Sequence, residues 1–201
     1  MERKVHRRFL RIADGISPAL KAKLAAAGPV WFPEREDKGA AAFLARAVVG
    51  QQLSTKAARS IWARIEAAAL AGSLAMPSLF HDDHTETLRG CGLSRNKVKA
   101  LSGIRMAHEA GLLESAHLRA LDHPARTERL IDIWGVGPWT CDMLAIFYCR
   151  DPDVWPAGDL AAVQTLRRLI GRSSTSKAAQ AFAPHRSILA LYMWKIADTE
   201  L

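Results

Sequence analysis

The stretch LIDIWGVGPWTCDML, residues 130–144, decides the fold expected for this chain. Gly135 and Gly137 bracket a single apolar residue, Val136, between two segments with apolar residues at helical spacing. Glycine permits tight turns that other residues resist, and Pro138 suits the first position of a helix. The stretch therefore predicts a helix, a short hairpin turn and a second helix.

This turn leaves backbone amides without helical partners. Unpaired N–H groups and the positive end of a helix dipole both attract anions, so they form a phosphate site that does not depend on base sequence. The same pattern also fits an ordinary turn between two packed helices. The remainder of the chain has to decide between these interpretations.

The rest of the sequence predicts an all-α fold, because strand patterns are almost absent and apolar residues recur every three or four positions. Ser54 and Ser94 have the character of helix N-caps, and Gly111 that of a residue that ends a helix. We expect apolar helix faces within residues 43–48, 58–68, 98–104, 160–170 and 188–196, and hairpin helices over about 124–134 and 138–149.

Composition favours a polyanionic partner. The chain has 201 residues, 49% of them hydrophobic, and 28 Lys and Arg against 20 Asp and Glu give a net charge of +8. Such a chain can bury one compact core or two small lobes, and its charge favours a polyanionic partner without separating DNA from RNA or a membrane surface. No apolar run is long enough to span a bilayer, and the basic N-terminus lacks the features of a secretory signal. We expect a cytoplasmic, nucleoid-associated location.

The three cysteines do not indicate a metal or disulfide framework. Cys91, Cys141 and Cys149 are odd in number and lack CxxC spacing, so we expect reduced thiols and no iron–sulfur cluster. The HDDH stretch at residues 81–84 is typical of a polar loop before a helix, and we expect no metal held by side chains.

Four stretches together carry a resemblance to a known family. They are AVVGQQLSTKAARSIW (47–62), LRGCGLSRNKVKAL (88–101), IWGVGPWTCDMLAIF (133–147) with WPAGDLAAVQTLRRL (155–169), and PHRSILALYMW (184–194). In this order they resemble the helix-hairpin-helix (HhH-GPD) DNA glycosylases, within the alkyladenine or DNA-3-methyladenine glycosylase II branch. The combination is far more specific than any one stretch.

The resemblance implies two helical lobes with the active site in the cleft between them. We expect residues 1–39 and 152–201 to form the first lobe, and residues 40–151 to form a helical-bundle lobe that contains the hairpin. Some relatives carry a further β-rich domain before this core, and we expect none here because the residues before Phe43 show no strand pattern.

The implied activity is excision of alkylated bases such as 3-methyladenine during base excision repair, by flipping the nucleotide and hydrolysing its N-glycosidic bond. Asp159 matches the position of the family's catalytic aspartate, although its local sequence alone indicates a helix N-cap. A carboxylate there stabilises the positive charge that develops on the sugar and orients or deprotonates the water. The abasic site is then the product.

Two residues match the family's base pocket, although each also fits simple core packing, and a third departs from the family pattern. Trp139 and Trp194 are expected to stack on the flipped base. Related lyases place a nucleophilic lysine where this chain has Trp139, so we expect a monofunctional enzyme. Met143 stands where the family often has an aromatic residue, which leaves open a different lesion preference.

The resemblance also assigns DNA contacts to the hairpin and to two other segments. In the GQQLS loop, Gln52 and Leu53 match the wedge that fills the gap left by the flipped base, although loop capping explains them equally well. Gln51 is instead a candidate brace for that loop. The remaining expected DNA-binding residues are Gly135, Val136, Gly137, Thr140, Arg95 and Lys97.

The resemblance also leads to expectations about cofactor, partner and assembly. We expect no cofactor, apart from a structural sodium or potassium ion on hairpin backbone carbonyls, and a monomer that binds damaged double-stranded DNA. Two alternatives stay open: the same scaffold acting on a deaminated, etheno or oxidised base, and a noncatalytic DNA-binding hairpin module. Asp159 argues against the second.

Overall fold

The structure is a computed structural model that describes residues 1–34, 38–171 and 174–199. Within those ranges the regular elements are helices and no strand occurs, so the all-α prediction is confirmed. None of the helices in the described ranges has the length and apolar character that a bilayer crossing requires.

The helices are given in chain order. They are α1 (Glu2–Asp14), α2 (Pro18–Ala27), α3 (Ala40–Gly50), α4 (Thr55–Ala71), α5 (Thr85–Gly90), α6 (Arg95–Glu109), α7 (Ser115–Ala120), α8 (His123–Leu130), α9 (Pro138–Met143), α10 (Leu160–Ile170), α11 (Thr175–Gln180) and α12 (Arg186–Thr199). Short 3₁₀ helices lie at Met76–Phe80 and Asp82–His84, and a π-helix at Leu144–Tyr148 follows α9 directly.

The chain divides into two compact units, residues 1–35 with 145–201, and residues 36–144. The lobes expected from the sequence were 1–39 with 152–201, and 40–151. The expected and observed boundaries therefore differ by a few residues at each of the two points where the chain passes from one unit to the other. The second of these boundaries, between residues 144 and 145, falls within the helical run formed by α9 and the π-helix. The backbone amide of Asp151 donates to the carbonyl of Ala145, which closes that run.

The core of the first unit forms where α1, α2, α10, α11 and α12 bury their apolar faces. Phe9 of α1 packs edge-on against Phe182, with ring centroids 4.8 Å apart. Tyr192 of α12 is fully buried, and burial raises its pKa to about 12. Its hydroxyl lies 2.6 Å from His6 Nδ1 and accepts a hydrogen bond from the Val30 amide. The basic N-terminal segment is thus a helix with a buried face.

In the second unit, the predicted caps are confirmed. Ser54 Oγ accepts a hydrogen bond from the Ala57 amide at the start of α4, and Ser94 Oγ accepts one from the Lys97 amide at the start of α6. Gly111, just past the end of α6, has a φ of +73°. Such a left-handed conformation favours glycine.

The first hairpin helix is shorter than predicted. Helix α8 ends at Leu130, whereas the apolar spacing predicted an end near Trp134, so that prediction is wrong. Tight-turn hydrogen bonds take over: the Ile133 amide donates to the Leu130 carbonyl and the Val136 amide to the Ile133 carbonyl. The second hairpin helix begins at Pro138 as predicted and continues through the π-helix to Tyr148.

Candidate active site and DNA-binding hairpin

The two hairpin glycines occupy different structural environments. Gly135 has a φ of +83°, and a Cβ placed there would lie 2.6 Å from the Cβ of Ala100 in α6. Gly137 has an extended backbone and is the N-cap of α9, and a Cβ there would meet nothing within 4 Å. Gly135 therefore permits close packing on α6, whereas Gly137 leaves open space beside the first amides of α9.

Gln51 braces the hairpin from the loop that follows α3. Its Nε2 donates to the carbonyl of Gly135 over 3.1 Å and to Oγ1 of Thr140 over 3.0 Å. The expected bracing role of Gln51 is thus observed. Val136 and Thr140 are both buried, so these two residues hold the turn from within, and their contact with DNA stays a prediction.

Lys97 ties α6 to the same loop. Its ammonium donates to the carbonyl of Val49 over 2.7 Å and to that of Gln51 over 2.9 Å. Burial lowers the pKa of this ammonium. The sequence predicted a DNA-contacting cation, and the structure adds an internal role, since two of its donors point at the C-terminal end of α3.

The predicted wedge residues lie at the exposed tip of this loop. Gln52 is exposed and has a φ of +59°, and Leu53 is 39% exposed. Arg95, in the first turn of α6, is exposed as well. The wedge role of Gln52 and Leu53 stays a prediction.

Asp159 lies in the first unit as the N-cap of α10. Its Oδ1 accepts a hydrogen bond from the Ala162 amide over 2.8 Å, so the capping interpretation is confirmed. The same oxygen accepts a hydrogen bond from Trp194 Nε1 over 2.9 Å. Two donors of different kinds fix the orientation of a carboxylate that is only 9% exposed.

Trp194, in the third turn of α12, therefore has two contacts. Its indole N–H binds Asp159, and its ring stacks on Phe147 with centroids 5.3 Å apart and an angle of 29° between the planes. The predicted pocket aromatic and the predicted catalytic carboxylate are thus brought together within one unit. The sequence did not indicate their hydrogen bond.

The loop before Asp159 is anchored to the first turn of α12. Asp153 accepts hydrogen bonds from the side chain and the backbone amide of Arg186, with Nε at 2.8 Å from Oδ1. Burial alone would raise the pKa of Asp153, but the hydrogen bonds from Arg186 outweigh it and the pKa lies below its usual value. Beside this pair, the hydroxyl of Ser187 bonds both the amide and the carbonyl of Val154.

The other two pocket residues belong to α9 in the second unit. Trp139 is half-buried and Met143 is buried. Between them, burial raises the pKa of the Cys141 thiol to about 11, with a further contribution from the charge of Asp142. This thiol is therefore protonated and a poor nucleophile. The pocket roles of Trp139 and Met143 stay predictions.

Sequence reasoning missed the residues that hold the site rather than form it. Asp153, Arg186 and Ser187 carried no motif of their own. The available signal was indirect: Arg186 and Ser187 lie in the same family-like stretch as Trp194, and Asp153 lies just before the WPAGDL stretch.

Comparison with known proteins decides the family. No protein-family model matches the chain. DNA-3-methyladenine glycosylase 1 of Schizosaccharomyces pombe is 34% identical over 159 residues, which cover 76% of this chain and 70% of that protein. The chain belongs to the 3-methyladenine DNA glycosylase family. The expected membership of the alkyladenine branch of the helix-hairpin-helix glycosylases is confirmed.

Solved structures of 3-methyladenine DNA glycosylases have the same fold. The S. pombe 3-methyladenine DNA glycosylase in complex with abasic DNA matches with a TM-score of 0.84 and 31% identity, covering 96% of this chain and 97% of that one. A DNA-3-methyladenine glycosidase from Bacillus halodurans matches with a TM-score of 0.76 and 28% identity, covering 94% and 88% of the two chains.

Proposed function

We propose that this chain is a DNA repair glycosylase that hydrolyses the N-glycosidic bond of alkylated bases, such as 3-methyladenine, in duplex DNA and leaves an abasic site. The observation that carries the proposal is Asp159, a carboxylate oriented by two hydrogen bonds in a chain of this family. Binding of abasic DNA by the S. pombe relative supports DNA as the partner.

The chemistry requires a negative charge close to the sugar. When the bond between the base and C1′ lengthens, positive charge builds on the deoxyribose while water approaches the opposite face. A preoriented Asp159 carboxylate stabilises this charge without reorganising during the reaction, and it holds or deprotonates the water. A base that N-methylation has made cationic leaves without a second acid, unlike the leaving group of most glycosidases.

Substrate capture is assigned to two sets of residues. The amides around Gly137 bind a backbone phosphate, and Gln52 and Leu53 fill the space that the flipped nucleotide leaves. Trp139 and Trp194 stack on the electron-poor base, with Met143 as a third pocket residue. A monomer suffices for this chemistry, because the chain itself carries every residue named.

No step depends on a cofactor. A structural sodium or potassium ion on backbone carbonyls of the hairpin remains part of the proposal. Backbone carbonyls are suitable ligands for such ions. The ion would stabilise the turn and take no part in bond cleavage.

A panel of duplexes, each with a single lesion, tests the proposal. We expect release of free alkylated base, identified by mass, and strand breaks only after alkali, because Trp139 offers no amine nucleophile. The Asp159→Asn protein, purified in parallel, controls for contaminating glycosylases. Duplex binding without release of any base would favour a noncatalytic module, and covalent trapping by borohydride would contradict monofunctional hydrolysis.

The same panel distinguishes the alternative substrate class. Met143 occupies a position where the family often has an aromatic residue, which favours including hypoxanthine, ethenoadenine and oxidised purines beside the methylated bases. Faster release of one of those bases than of 3-methyladenine would place the chain's main activity outside alkylation repair.

A further inference from the structure

A large aromatic side chain lies on the surface directly before the hairpin turn. Trp134 is 52% exposed, and its backbone precedes Gly135. The turn itself does not require an aromatic residue there, because Val136 supplies the buried apolar side chain. An exposed tryptophan beside a binding element is a common feature of interaction surfaces.

Trp134 holds a lysine. The ammonium of Lys99 in α6 lies 3.8 Å from the centroid of the indole ring, within the range of a cation–π contact. Arg95 lies one helical turn before Lys99 and faces the same side of α6. The indole therefore fixes one cation of a basic helix face at the edge of the hairpin.

Two cavities meet at this indole. One of about 360 Å³ is lined by residues that include Gln52, Gly135 and Trp134. The other, of about 480 Å³, is lined by residues that include Arg95, Lys99 and Trp134. Trp134 thus lines both the cavity beside Gly135 of the hairpin turn and the cavity beside the basic face of α6.

The charge of this surface favours an anionic occupant. Asp82 also lines the larger cavity, and its carboxylate accepts a hydrogen bond from Ser102 over 2.9 Å. Arg95 and Lys99 together exceed that single negative charge. A polyanion that already binds the neighbouring turn matches both the position of Trp134 and the positive charge of Arg95 and Lys99.

We infer that Trp134, Lys99 and Arg95 form an accessory contact with the DNA strand held by the hairpin, an inference that rests on the proposed function. The indole packs against deoxyribose, and the two cations bind phosphates that flank the hairpin phosphate. Because Trp134 holds the Lys99 side chain in advance, less conformational entropy is lost when its ammonium meets a phosphate.

A double-mutant cycle on the affinity for undamaged duplex tests the inference over a series of salt concentrations. Trp134→Ala is expected to weaken binding about two- to fivefold, as an exposed cation–π contact would. Lys99→Met is expected to reduce the slope of log affinity against log salt by about 0.9, the value for one phosphate contact. The double variant should lose less than the product of the two single losses.

Matched controls keep the result specific. Leu70→Ala removes another exposed apolar side chain, 82% exposed near the end of α4, and should bind duplex like wild type. Base release at saturating DNA should be the same for wild type, Trp134→Ala and Lys99→Met. If Trp134→Ala melts too early to be measured, the salt slope of Lys99→Met decides alone.

The outcomes separate this inference from the proposed function. If wild type fails to bind duplex at low salt, the proposed function fails. If wild type binds and both variants match it at every salt concentration, only the accessory contact is overturned. Met106, 60% exposed, also lines the larger cavity beside Trp134. A concentration-dependent dimer that Trp134→Ala and Met106→Ala both abolish, with duplex affinity unchanged, would also overturn the accessory contact in favour of a protein interface.

Discussion

Replacing Asp159 by asparagine separates its observed capping role from its proposed catalytic role. Asparagine is nearly isosteric, and its side-chain oxygen can still accept the hydrogen bonds from the Ala162 amide and from Trp194 that Asp159 Oδ1 accepts now. We therefore expect a free energy of unfolding within about 1 kcal/mol of wild type, since asparagine is as good an N-cap as aspartate. The negative charge beside the sugar is lost.

The catalytic loss follows from that charge. A group that stabilises transition-state charge or activates water is typically worth about 100- to 1,000-fold in rate. We expect Asp159→Asn to slow single-turnover excision by at least about 100-fold while undamaged duplex binds with nearly unchanged affinity. Cationic lesions should lose less than neutral ones, because they leave with less assistance.

Asp159→Ala provides the contrasting variant. It loses the cap, at a cost of about 1 kcal/mol, and it leaves the half-buried indole N–H of Trp194 without its acceptor, at about 1–3 kcal/mol. We expect the alanine variant to be less stable than the asparagine variant but no more active. Thermal melting, duplex affinity and single-turnover excision of a methylated base are measured on all three proteins.

The refuting result is specific. If Asp159→Asn excised the base within a few-fold of wild type, while Asp159→Ala were destabilised as expected, Asp159 would be a cap and nothing more. The catalytic assignment would then fail although the fold and the family stand.

Three further predictions concern the neighbouring residues. Trp194→Phe keeps an aromatic ring but removes the N–H donor to the proposed catalytic carboxylate of Asp159. Single-turnover excision should therefore fall about tenfold, the kinetic equivalent of ~1.5 kcal/mol for a hydrogen bond to a charged group, while duplex affinity stays unchanged. Equal loss of excision and duplex affinity would indicate misfolding. Gly135→Ala should lower the free energy of unfolding by about 1–3 kcal/mol, because its Cβ clashes with α6. Gly137→Ala should lose no more than about 1 kcal/mol, as a poorer N-cap, but should bind duplex more weakly; full affinity of Gly137→Ala would argue against a phosphate at that turn. Asp153→Asn should lower the free energy of unfolding by about 1–3 kcal/mol at pH 7, because the bond to Arg186 is weakened. The folded-state pKa of Asp153 is depressed, so its stabilising contribution is present above its unfolded-state pKa near 3.9 and is lost as the pH falls through the folded-state pKa. Urea unfolding at pH 3 should therefore give wild type and variant more similar free energies of unfolding.

The sequence predicted the starts of helices well where the signal lies in neighbouring residues. Ser54 and Ser94 cap their helices because a hydroxyl next to an amphipathic segment satisfies free amides nearby in the chain. The end of α8 was the exception. Apolar spacing continues through Ile133 and Trp134, but tight-turn hydrogen bonds end the helix at Leu130, and periodicity does not detect that competition.

The sequence did not predict side-chain contacts between residues that lie far apart in the chain. Lys97 was expected to contact DNA, and in the structure its ammonium binds two carbonyls of a segment more than 40 residues away. Arg186 and Asp153 pair across 33 residues. Charge spacing along the chain does not specify such contacts, because the approach of the helices that create them is set by packing of the core.

The placement of Asp159 can be explained by α12 acting as a rigid spacer. Arg186 and Trp194 lie eight residues apart on this helix, about 12 Å at 1.5 Å per residue. Arg186 holds the start of the 153–159 loop through Asp153, and Trp194 holds its end through Asp159. A loop rich in proline and glycine has little regular structure of its own, so its two anchors on one helix define where the carboxylate stands. This accounts for an aspartate on an irregular loop that is nonetheless fixed: the position of Asp159 depends on α12 as much as on the helix that it caps.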